Sequence, residues 1–573
     1  MERMIKEYAQ RVVLVFASVL LVGCSHSEKD FVTEDGKVEV TKAIDFKVDF
    51  LDVDSTEEVT ITRANGNRQS SDTLSHQLVD LGNHLLAEIT VQRNVVKTLA
   101  KPKAQTRALN DGTYILTAVD PIANKPVGSV KGVVSNGTFI PENNAMLELS
   151  PGTYKFVLIA LPYTGGNTSY VVDNSNPSNP VHTLSMTVND NVRLGIAKNI
   201  VITSAPRHQQ VKFDMKDPCA KMGMQLLTSM PFESPGYYKT LQGKIEGTIP
   251  LTGKMDIALD DGVNGTNPTA FSHGCDFQPV SQVGIGEYQS NSNNDFSLFR
   301  NTAVSQFRLV LNNGWIYHTN LSLHPTTINL TPSTPVLMQA NNFYRIKVKL
   351  MYNCWYLMSD GTIGLTGETT YGGGTKTPVA LVLSRSKRIA ITLEDAYGGN
   401  RVKWANVATQ FDNNTAYTTN NYLTDMDGYH YTWEASGSKD GVTIKGNEPT
   451  HYPAFYYAGH YGAELETALA AKGIALVPNL KNGKWYLPSV GEWNLLNNLV
   501  KSPSSHNFDS NFCRMLFSQV GGDSPAMKSY WNSTENFYNQ REAFCAGVGY
   551  LSREFGVKNK DFPSYIVRPF IKY

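Results

Sequence analysis

The feature that most constrains this chain is a succession of short segments rich in β-branched and aromatic residues, with turn residues between them. Two of the clearest are Thr113–Asp120 (TYILTAVD) and Gly152–Leu161 (GTYKFVLIAL), and Ser-Pro-Gly supplies the turn before the second. In residues 343–351 (FYRIKVKLM) apolar and basic residues alternate, which indicates a strand with one buried face. Strands at this spacing predict a mainly β chain built from β-sandwiches.

The 573 residues are too many for one hydrophobic core, so we expect several domains. Composition divides the chain into residues 1–24, a leader; 25–215, an N-terminal β-sandwich; 216–385, a second β-sandwich with a linker; and 386–573, an α+β domain. The last segment carries the best helical signals. In 489–500, Ser489 and Glu492 have the spacing of a capping box, and residues 462–473 form a second helical pattern that ends at a glycine.

The first 24 residues predict a secretion signal that ends at a lipid-modified cysteine. The apolar run 12–22 follows Arg11 and is too short to span a bilayer as a helix, but it has the length of a signal-peptide core. Residues 21–24 (LVGC) resemble a bacterial lipobox. This resemblance implies that Cys24 is acylated and anchors the precursor in the outer membrane.

Charge and motif content exclude several functional classes. Lys plus Arg and Asp plus Glu both number 51, so the chain lacks the basic surplus of a nucleic-acid-binding protein. It contains neither a Gly-x-Ser-x-Gly nor a His-Glu-x-x-His motif, and its twelve histidines show no ligand spacing. The sequence therefore predicts that the protein is not an enzyme and binds no metal or cofactor.

Five cysteines follow Cys24, and none shows the C-x-x-C spacing of a zinc or redox site. In an oxidising compartment, Cys219 with Cys275 and Cys513 with Cys545 are the sequence-local candidates for disulfides. Buried free thiols are the alternative.

Several motifs occur in a characteristic order over residues 1–350. After the lipobox come 78–92 (LVDLGNHLLAEITVQ), 105–120 (QTRALNDGTYILTAVD), 149–161 (LSPGTYKFVLIAL) and 341–350 (NNFYRIKVKL). This order resembles the fimbrillin-like proteins of Bacteroidales, the subunits of lipoprotein-derived pili. The resemblance implies two tandem transthyretin-like β-sandwiches and cleavage by an arginine-specific protease. Removal of an N-terminal strand would then open a groove that a strand of another subunit fills. Arg107 and Arg63 are the candidate cleavage sites, and the alternative is that neither is cut.

Four further motifs follow one another in the last segment: 401–409 (RVKWANVAT), 485–496 (WYLPSVGEWNLL), 530–536 (YWNSTEN) and 567–573 (VRPFIKY). They resemble a C-type-lectin-like family, and the resemblance covers residues 386–573. It implies a fold in which the motif tryptophans are core. The oxygen-rich triplets of calcium-dependent lectins are absent, so no metal site is expected. We further predict that Arg568 forms an ion pair with Glu535 or Glu492.

The irregular stretch from Phe411 to Tyr461 is the best candidate for a ligand-binding region, because aromatic rings stack on sugar faces and amides bind hydroxyls. The alternative is a long loop that is packed by its own aromatic residues. The candidate ligand-binding residues are Tyr422, Tyr429, Tyr431, Trp433, Tyr456, Tyr457 and Tyr461.

These expectations combine into one hypothesis. In the pilin family that the chain resembles, the donor strand comes from the C-terminal end of the incoming subunit, which here is occupied by residues 386–573. The hypothesis is therefore a fimbrial tip subunit and adhesin, assembled by strand exchange from a surface lipoprotein precursor. Its expected partners are other pilin subunits and a host, bacterial or matrix ligand, either glycan or protein. The alternatives are a stand-alone, lipid-anchored glycan-binding lipoprotein and a pilus anchor or assembly subunit.

Overall fold

The computed structural model describes residues 31–51, 72–94, 112–162, 167–204, 209–230, 233–234, 237–238, 241–277, 281–284, 287–291, 295–481, 483–503, 507–549 and 555–573. Cys24, Arg63 and Arg107 lie outside these ranges, so lipid attachment and proteolytic cleavage remain predictions. Strands predominate over helices, which confirms the mainly β prediction. Within the described residues, no helix combines the length and the apolar character needed to cross a membrane.

The N-terminal unit is a seven-stranded sheet that closes into a barrel, whereas the sequence predicted a β-sandwich. Its first strand, Ile44–Leu51, pairs in parallel with Gln209–Lys216 along its whole length and also contacts Thr138–Pro141. Alternate residues of this strand are buried, as its sequence predicts. Around the barrel, the strands are Arg193–Ile202, Gln209–Lys216, Ile44–Leu51, Thr138–Pro141, Lys125–Ser135, Thr113–Asp120 and Gly152–Leu161. Short strands Val38–Glu39 and Glu148–Leu149 pair beside it.

The hairpin formed by Asp72–Gly82 and Leu85–Asn94 does not belong to the N-terminal unit, although the sequence boundaries place it there. Leu85–Asn94 pairs antiparallel with Phe343–Tyr352 over ten residues, in the main sheet of the second unit. Apolar positions of both strands, among them Ile89 and Val348, are buried in one core cluster. The chain therefore leaves the barrel after Leu51, completes the edge of a different sheet and returns at Thr113.

The second unit contains two large sheets, and a further small sheet joins it to the barrel. The small sheet pairs Val181–Thr187 with Thr252–Asp256, and Ser169–Asp173 and Asn264–Thr266 flank them. The main sheet contains Ser281–Gly284, Glu287–Asn291, Cys219–Thr228, Phe343–Tyr352, Leu85–Asn94 and Asp72–Gly82, with Phe296–Phe299 also on Cys219–Thr228. The opposing sheet contains Thr269–Phe277, Leu241–Ile249, Phe307–Asn313 and Thr326–Asn329. Two short hairpins are Glu233–Ser234 with Tyr237–Tyr238, and Trp315–Ile316 with Thr319–Asn320.

The C-terminal unit begins near Trp355 rather than at residue 386, because strands of the predicted linker lie in its main sheet. That sheet runs Ile363–Leu365, Trp355–Met358, Pro378–Ser384, Ile389–Thr392, Phe570–Lys572 and Trp485–Tyr486. A second sheet contains Ser529–Glu535, Glu542–Gly547 and Phe555–Asn559. The α-helices of the described residues are α1 Val40–Ala43, α2 Gly428–Trp433, α3 Pro453–Gly459, α4 Tyr461–Ala470, α5 Val490–Val500 and α6 Ser510–Ser518.

The tryptophan-rich segment around α5 is internal. Trp485, Trp493 and Trp531 are all buried, as expected of the skeleton of a small domain. The half of the predicted capping box that Glu492 supplies is formed: its carboxylate accepts a hydrogen bond from the backbone N–H of Ser489 at 2.9 Å. The Ser489 hydroxyl donates to the carbonyl of Asp425 at 2.7 Å.

The second unit and the C-terminal unit share one continuous core. The side-chain amide of Gln519 holds both backbone groups of Tyr352, accepting from the N–H at 3.1 Å and donating to the carbonyl at 2.9 Å. A second link is the pair of His318 Nε2 and Asp509 Oδ2 at 2.8 Å, with the His318 ring stacked on Phe512. These contacts fix the C-terminal unit against the second unit instead of leaving it on a linker.

The five described cysteines are buried free thiols, so the predicted disulfides are wrong. The reason is that each proposed pair is divided between separate parts of the core. Cys219 lies in the cluster between barrel and small sheet, while Cys275 lies in the core of the second unit. Cys513 and Cys545 are likewise in two different clusters. Burial raises the pKa of the Cys275 thiol to about 11 and that of Cys513 to about 12, which keeps both protonated.

Candidate functional site

Two of the seven predicted ligand-binding aromatics are core residues. Tyr431 on α2 and Tyr461 on α4 are only 1% and 4% exposed. The Tyr461 ring packs edge-on against Trp485, with ring centroids 5.2 Å apart. Both residues lie on the inward faces of their helices, so the prediction that they contact a ligand is wrong.

Three more of the predicted residues are half-buried and engaged in internal packing. Tyr422 stacks on Phe544 with ring centroids 5.0 Å apart. The rings of Tyr429 and Tyr486 meet edge to face at 5.7 Å. Trp433 Nε1 donates a hydrogen bond to the carbonyl of Trp485 at 2.6 Å. The alternative of a segment packed by its own aromatic residues therefore describes these positions better than a ligand-binding role.

Tyr456 and Tyr457 form part of a half-exposed aromatic group at the surface. Tyr457 stacks on Tyr397 with ring centroids 3.9 Å apart, and Tyr456 stacks on His460 at 4.1 Å. Tyr397 lies outside the predicted region and reaches this group from the 3₁₀ turn Ala396–Gly399. Because each of these rings already uses one face for stacking within the group, less ring surface remains for a ligand.

A polar groove in the C-terminal unit is a candidate binding site that lies partly within the predicted region. Its volume is about 420 Å³, within the range of small-ligand sites. It lies between residues 405–412 and 443–452, inside the predicted region for the most part but with a different set of side chains. Its lining residues are Ala405, Val407, Thr409, Gln410, Asp412, Thr443, Glu448, His451 and Tyr452.

The wall of the groove at Asp412 rests on a network of buried charges. Lys560 Nζ lies 2.7 Å from Asp412 Oδ2 and is also paired with Glu535. The Glu535 carboxylate accepts hydrogen bonds from the backbone N–H groups of Asp412 and Asn413. The Tyr452 hydroxyl donates to Asp412 Oδ1 at 3.0 Å. Asp412 is thus held in one orientation by three elements that are far apart in sequence.

Burial dominates the electrostatics of this network. It lowers the pKa of Lys445 to about 8, against the opposing attraction of Glu535 and Asp412. It raises the pKa of Glu535, although Lys560 favours the ionised carboxylate. Such a network fixes the backbone at the groove. The outer side chains, Glu448 and His451, lie at the surface with His451 Nδ1 3.3 Å from Glu448 Oε2, and their remaining polar atoms can meet a ligand's hydroxyl or amide groups.

The predicted ion pair of Arg568 has a different partner. Arg568 is fully buried and its Nη1 lies 2.7 Å from Asp395 Oδ1. Glu535 forms its ion pair with Lys560 instead. The Glu492 carboxylate accepts hydrogen bonds from the N–H of Ser489 and from the Tyr486 hydroxyl, the latter at 2.8 Å. Among the residues that the structure describes, no group of three or more His, Cys, Asp or Glu side chains is placed to hold a metal ion.

No protein-family model matches the sequence, and no curated protein matches it. Solved structures give a weak likeness. A Bacteroides uniformis protein to which a role in cell adhesion has been attributed is 9% identical, with 43% of this chain and 89% of that chain covered at a TM-score of 0.26. A Bacteroides ovatus protein with the same attributed role is 12% identical (54% and 91% covered, TM-score 0.23). A Bacteroides thetaiotaomicron protein with attributed polysaccharide binding is 14% identical (39% and 73% covered, TM-score 0.22). At these TM-scores the likeness does not establish a family for this chain.

Proposed function

We propose that this chain is a cell-surface adhesin that becomes the tip subunit of a fimbria by strand exchange. The observation that carries the proposal is the position of one strand. Ile44–Leu51 lies before Arg63, whereas the other six strands of the barrel come from residues 113–216. In this proposal the barrel and the second unit correspond to transthyretin-like pilin domains, and the C-terminal unit corresponds to a C-type-lectin-like domain.

Loss of that strand would leave an apolar slot that another strand can fill. Ile44, Phe46 and Val48 are each at most 4% exposed and pack into the barrel core. Burial of one such side chain contributes about 1.5–3 kcal/mol. The slot would also expose the unpaired backbone of Gln209–Lys216, which is a template for an incoming strand.

The fold favours Arg63 over Arg107 as the productive cleavage site. A cut after Arg63 separates the barrel strand together with Val38–Glu39 and α1, which precede it, and takes no strand from the second unit. A cut after Arg107, with release of everything before it, would also strip Leu85–Asn94 from Phe343–Tyr352 and uncover the core of the second unit. Only the first cut leaves the main sheet of the second unit intact.

The C-terminal strand is poorly suited to serve as a donor, which favours the tip of the fimbria over its shaft. Phe570–Lys572 lies between Ile389–Thr392 and Trp485–Tyr486 inside the sheet. Two residues earlier, Arg568 is bonded to Asp395 and to the carbonyls of Thr392 and Asp523. Withdrawal of this strand would leave buried charges unpaired, at a cost of about 3–5 kcal/mol for one broken pair.

The maturation step is tested by N-terminal sequencing of the protein shed from a bacterial surface that carries an arginine-specific protease. Wild-type chain, R63A and R107A are compared. We expect mature wild-type and R107A chains to begin at residue 64, and R63A to retain the acylated precursor and to stay out of fimbriae. Intact Cys24 at the start of every surface-exposed wild-type chain would contradict the proposal and support the stand-alone lipoprotein.

The tip position is tested by immunogold labelling of isolated fimbriae with antibody against the C-terminal unit. One label at the distal end of each fimbria is expected. Label along the whole shaft would contradict the tip assignment, and label only at the base would support the anchor alternative.

The adhesin role is tested by binding of the full chain to arrays of glycans and matrix proteins. Substitution of outer groove residues, H451A with E448Q, should abolish the strongest signals, while Y457A in the aromatic group serves as a matched control. Equal loss in Y457A, or no loss in the groove variant, would move the ligand site away from the groove.

A further inference from the structure

A second cleft in the C-terminal unit has a different chemical character from the groove. It has a volume of about 520 Å³ and shares no residue with the groove. It lies at the turn that joins Pro378–Ser384 to Ile389–Thr392, and the turn has the sequence Arg-Ser-Lys-Arg. Its lining residues are Gly361, Ile363, Arg385, Ser386, Arg388 and Tyr573.

Both arginines of the turn are positioned against aromatic rings. The Arg385 guanidinium lies over Trp355, 4.3 Å from the ring centroid, and the Arg388 guanidinium lies over Tyr573 at 5.7 Å. The backbone N–H of Tyr573 donates to the carbonyl of Arg388 at 3.1 Å, which keeps the ring beside the turn. Stacking of this kind holds a guanidinium in place while its N–H donors remain free for an anion.

The positive charge of the turn is not neutralised within the part of the chain that the structure describes. Arg385, Lys387 and Arg388 are exposed, and none of the three is in an ion pair with a described carboxylate. The nearby carboxylates are already engaged: Asp360 accepts from the Thr362 N–H and hydroxyl, and Glu368 pairs with Lys376. The turn therefore carries a local excess of three positive side chains, although the formal charge of the whole chain is zero.

Tyr573 contributes the wall of the cleft beside Arg388. Its hydroxyl is buried and has no hydrogen-bond partner among the described residues. Burial raises the pKa of Tyr573, and the positive charges of Arg388 and Arg385 oppose that rise, which places both guanidiniums near this ring. The exposed hydroxyl of Ser386 can meet a hydroxyl group of a ligand whose charge is held by the arginines.

We propose that this cleft binds the carboxylate or sulfate groups of an acidic polysaccharide. Planar guanidiniums form bidentate bonds with such groups, and the cleft has the volume of a small-ligand site. A lipid surface is the weaker interpretation, because membrane-binding basic clusters contain roughly four to eight Lys or Arg residues rather than the three here. The site would give the C-terminal unit a second contact that is independent of the groove.

The test measures binding of the full chain to heparin fragments, which are sulfated, and to oligogalacturonate, which carries carboxylates, with dextran as the neutral control. At least one acidic glycan should bind and dextran should not. R385Q/R388Q should weaken that binding about 10- to 100-fold, and R385K/R388K, which keeps the charge but loses the planar fork, about 3- to 10-fold. K131Q/K472Q, two exposed lysines elsewhere, removes the same charge and should leave the affinity unchanged.

Thermal denaturation of each variant confirms that the fold is intact, and the lysine variant keeps the test informative if the glutamine variant is unstable. Absence of binding to both acidic glycans, or equal affinity of wild type and R385Q/R388Q, would overturn the proposal. So would preference for poly-glutamate or for vesicles that contain phosphatidylserine. The groove variant H451A should retain acidic-glycan binding, so failure of the adhesin proposal and failure of this one are distinguishable.

Discussion

The strand Ile44–Leu51 of the barrel and the strand Phe570–Lys572 of the C-terminal unit are held in place by different kinds of interaction. In the barrel, Ile44–Leu51 is held by backbone pairing and apolar side chains, and its ion pair between Asp49 and Lys212 is exposed to solvent. In the C-terminal unit, the strand Phe570–Lys572 is adjacent to Arg568, which is buried in an ion pair with Asp395. An apolar strand can be exchanged for another apolar strand at little net cost, but a strand tied to buried charges cannot.

This difference explains how one chain could be an acceptor and not a donor. Ile44–Leu51, the strand that we propose is exchanged, lies before a candidate cleavage site, and Phe570–Lys572 lies in the unit that carries the groove and the basic cleft. Six of the seven tryptophans lie in the C-terminal unit, between residues 355 and 531. Tryptophan fluorescence therefore reports the stability of that unit with little contribution from the barrel.

Removal of one buried charge should have the largest effect. K560M leaves Glu535 buried without its principal partner, so we expect a loss of about 3–5 kcal/mol in the unfolding free energy of the C-terminal unit. Urea denaturation followed by tryptophan fluorescence measures it. K198M, on a barrel strand, removes one partner of the exposed pair with Asp261 and should lower the unfolding free energy of the barrel by less than about 1 kcal/mol; circular dichroism measures it, because the barrel contains no tryptophan. Similar losses in both variants would contradict the contrast between the units.

Truncation of the central apolar residue of the exchangeable strand should have the next largest effect. Phe46 is 2% exposed and packs against Phe156 and Phe213, so F46A should weaken the hold on the strand by about 3–4 kcal/mol. After cleavage at Arg63, the N-terminal fragment should then dissociate faster in gel filtration, while the fluorescence transition is unchanged. In D49A, on the exposed face, the N-terminal fragment should dissociate at the wild-type rate. Dissociation as fast in D49A as in F46A would contradict the conclusion that apolar packing holds the strand.

The pH dependence of the unfolding free energy of the C-terminal unit should be a smaller effect than the two above. Burial raises the pKa of Glu492 to about 7 from an ordinary value of 4.5, so the folded state holds this proton more tightly than the unfolded state. The associated stability is complete below pH 4.5 and is lost as pH rises through 7. E492Q should therefore match wild type near pH 4.5 and exceed it by about 1–3 kcal/mol at pH 8.

Sequence reasoning succeeded where the signal is local. The spacing of Ser489 and Glu492 predicted a helix start that forms at Val490, and the alternation in residues 343–351 predicted a strand with one buried face. The burial of Trp485 and Trp493 agrees with what the resemblance of their motif to a lectin-like family implied. These features depend on neighbours within a few residues, so the sequence contains the information directly.

It failed where a partner is chosen at long range. Nothing in residues 72–94 indicates that the hairpin pairs with Phe343–Tyr352 instead of with the barrel. The partner of Arg568 could not be identified either, since Asp395, Glu492 and Glu535 are equivalent until the fold brings one within reach. The groove was missed in part because its single aromatic residue, Tyr452, is unremarkable among so many tyrosines.

The measurement that tests the central claim most directly is hydrogen–deuterium exchange of the full chain before and after cleavage at Arg63, with R107A used to confine the cut. After removal of the N-terminal fragment, we expect protection to fall in Gln209–Lys216 and Thr138–Pro141 and to return when a peptide of residues 44–51 is added. Protection of Phe570–Lys572 should not change. Unaltered exchange in the barrel after removal of the fragment, or simultaneous loss of protection in Phe570–Lys572, would contradict an exchangeable strand at one end of the molecule and a fixed one at the other.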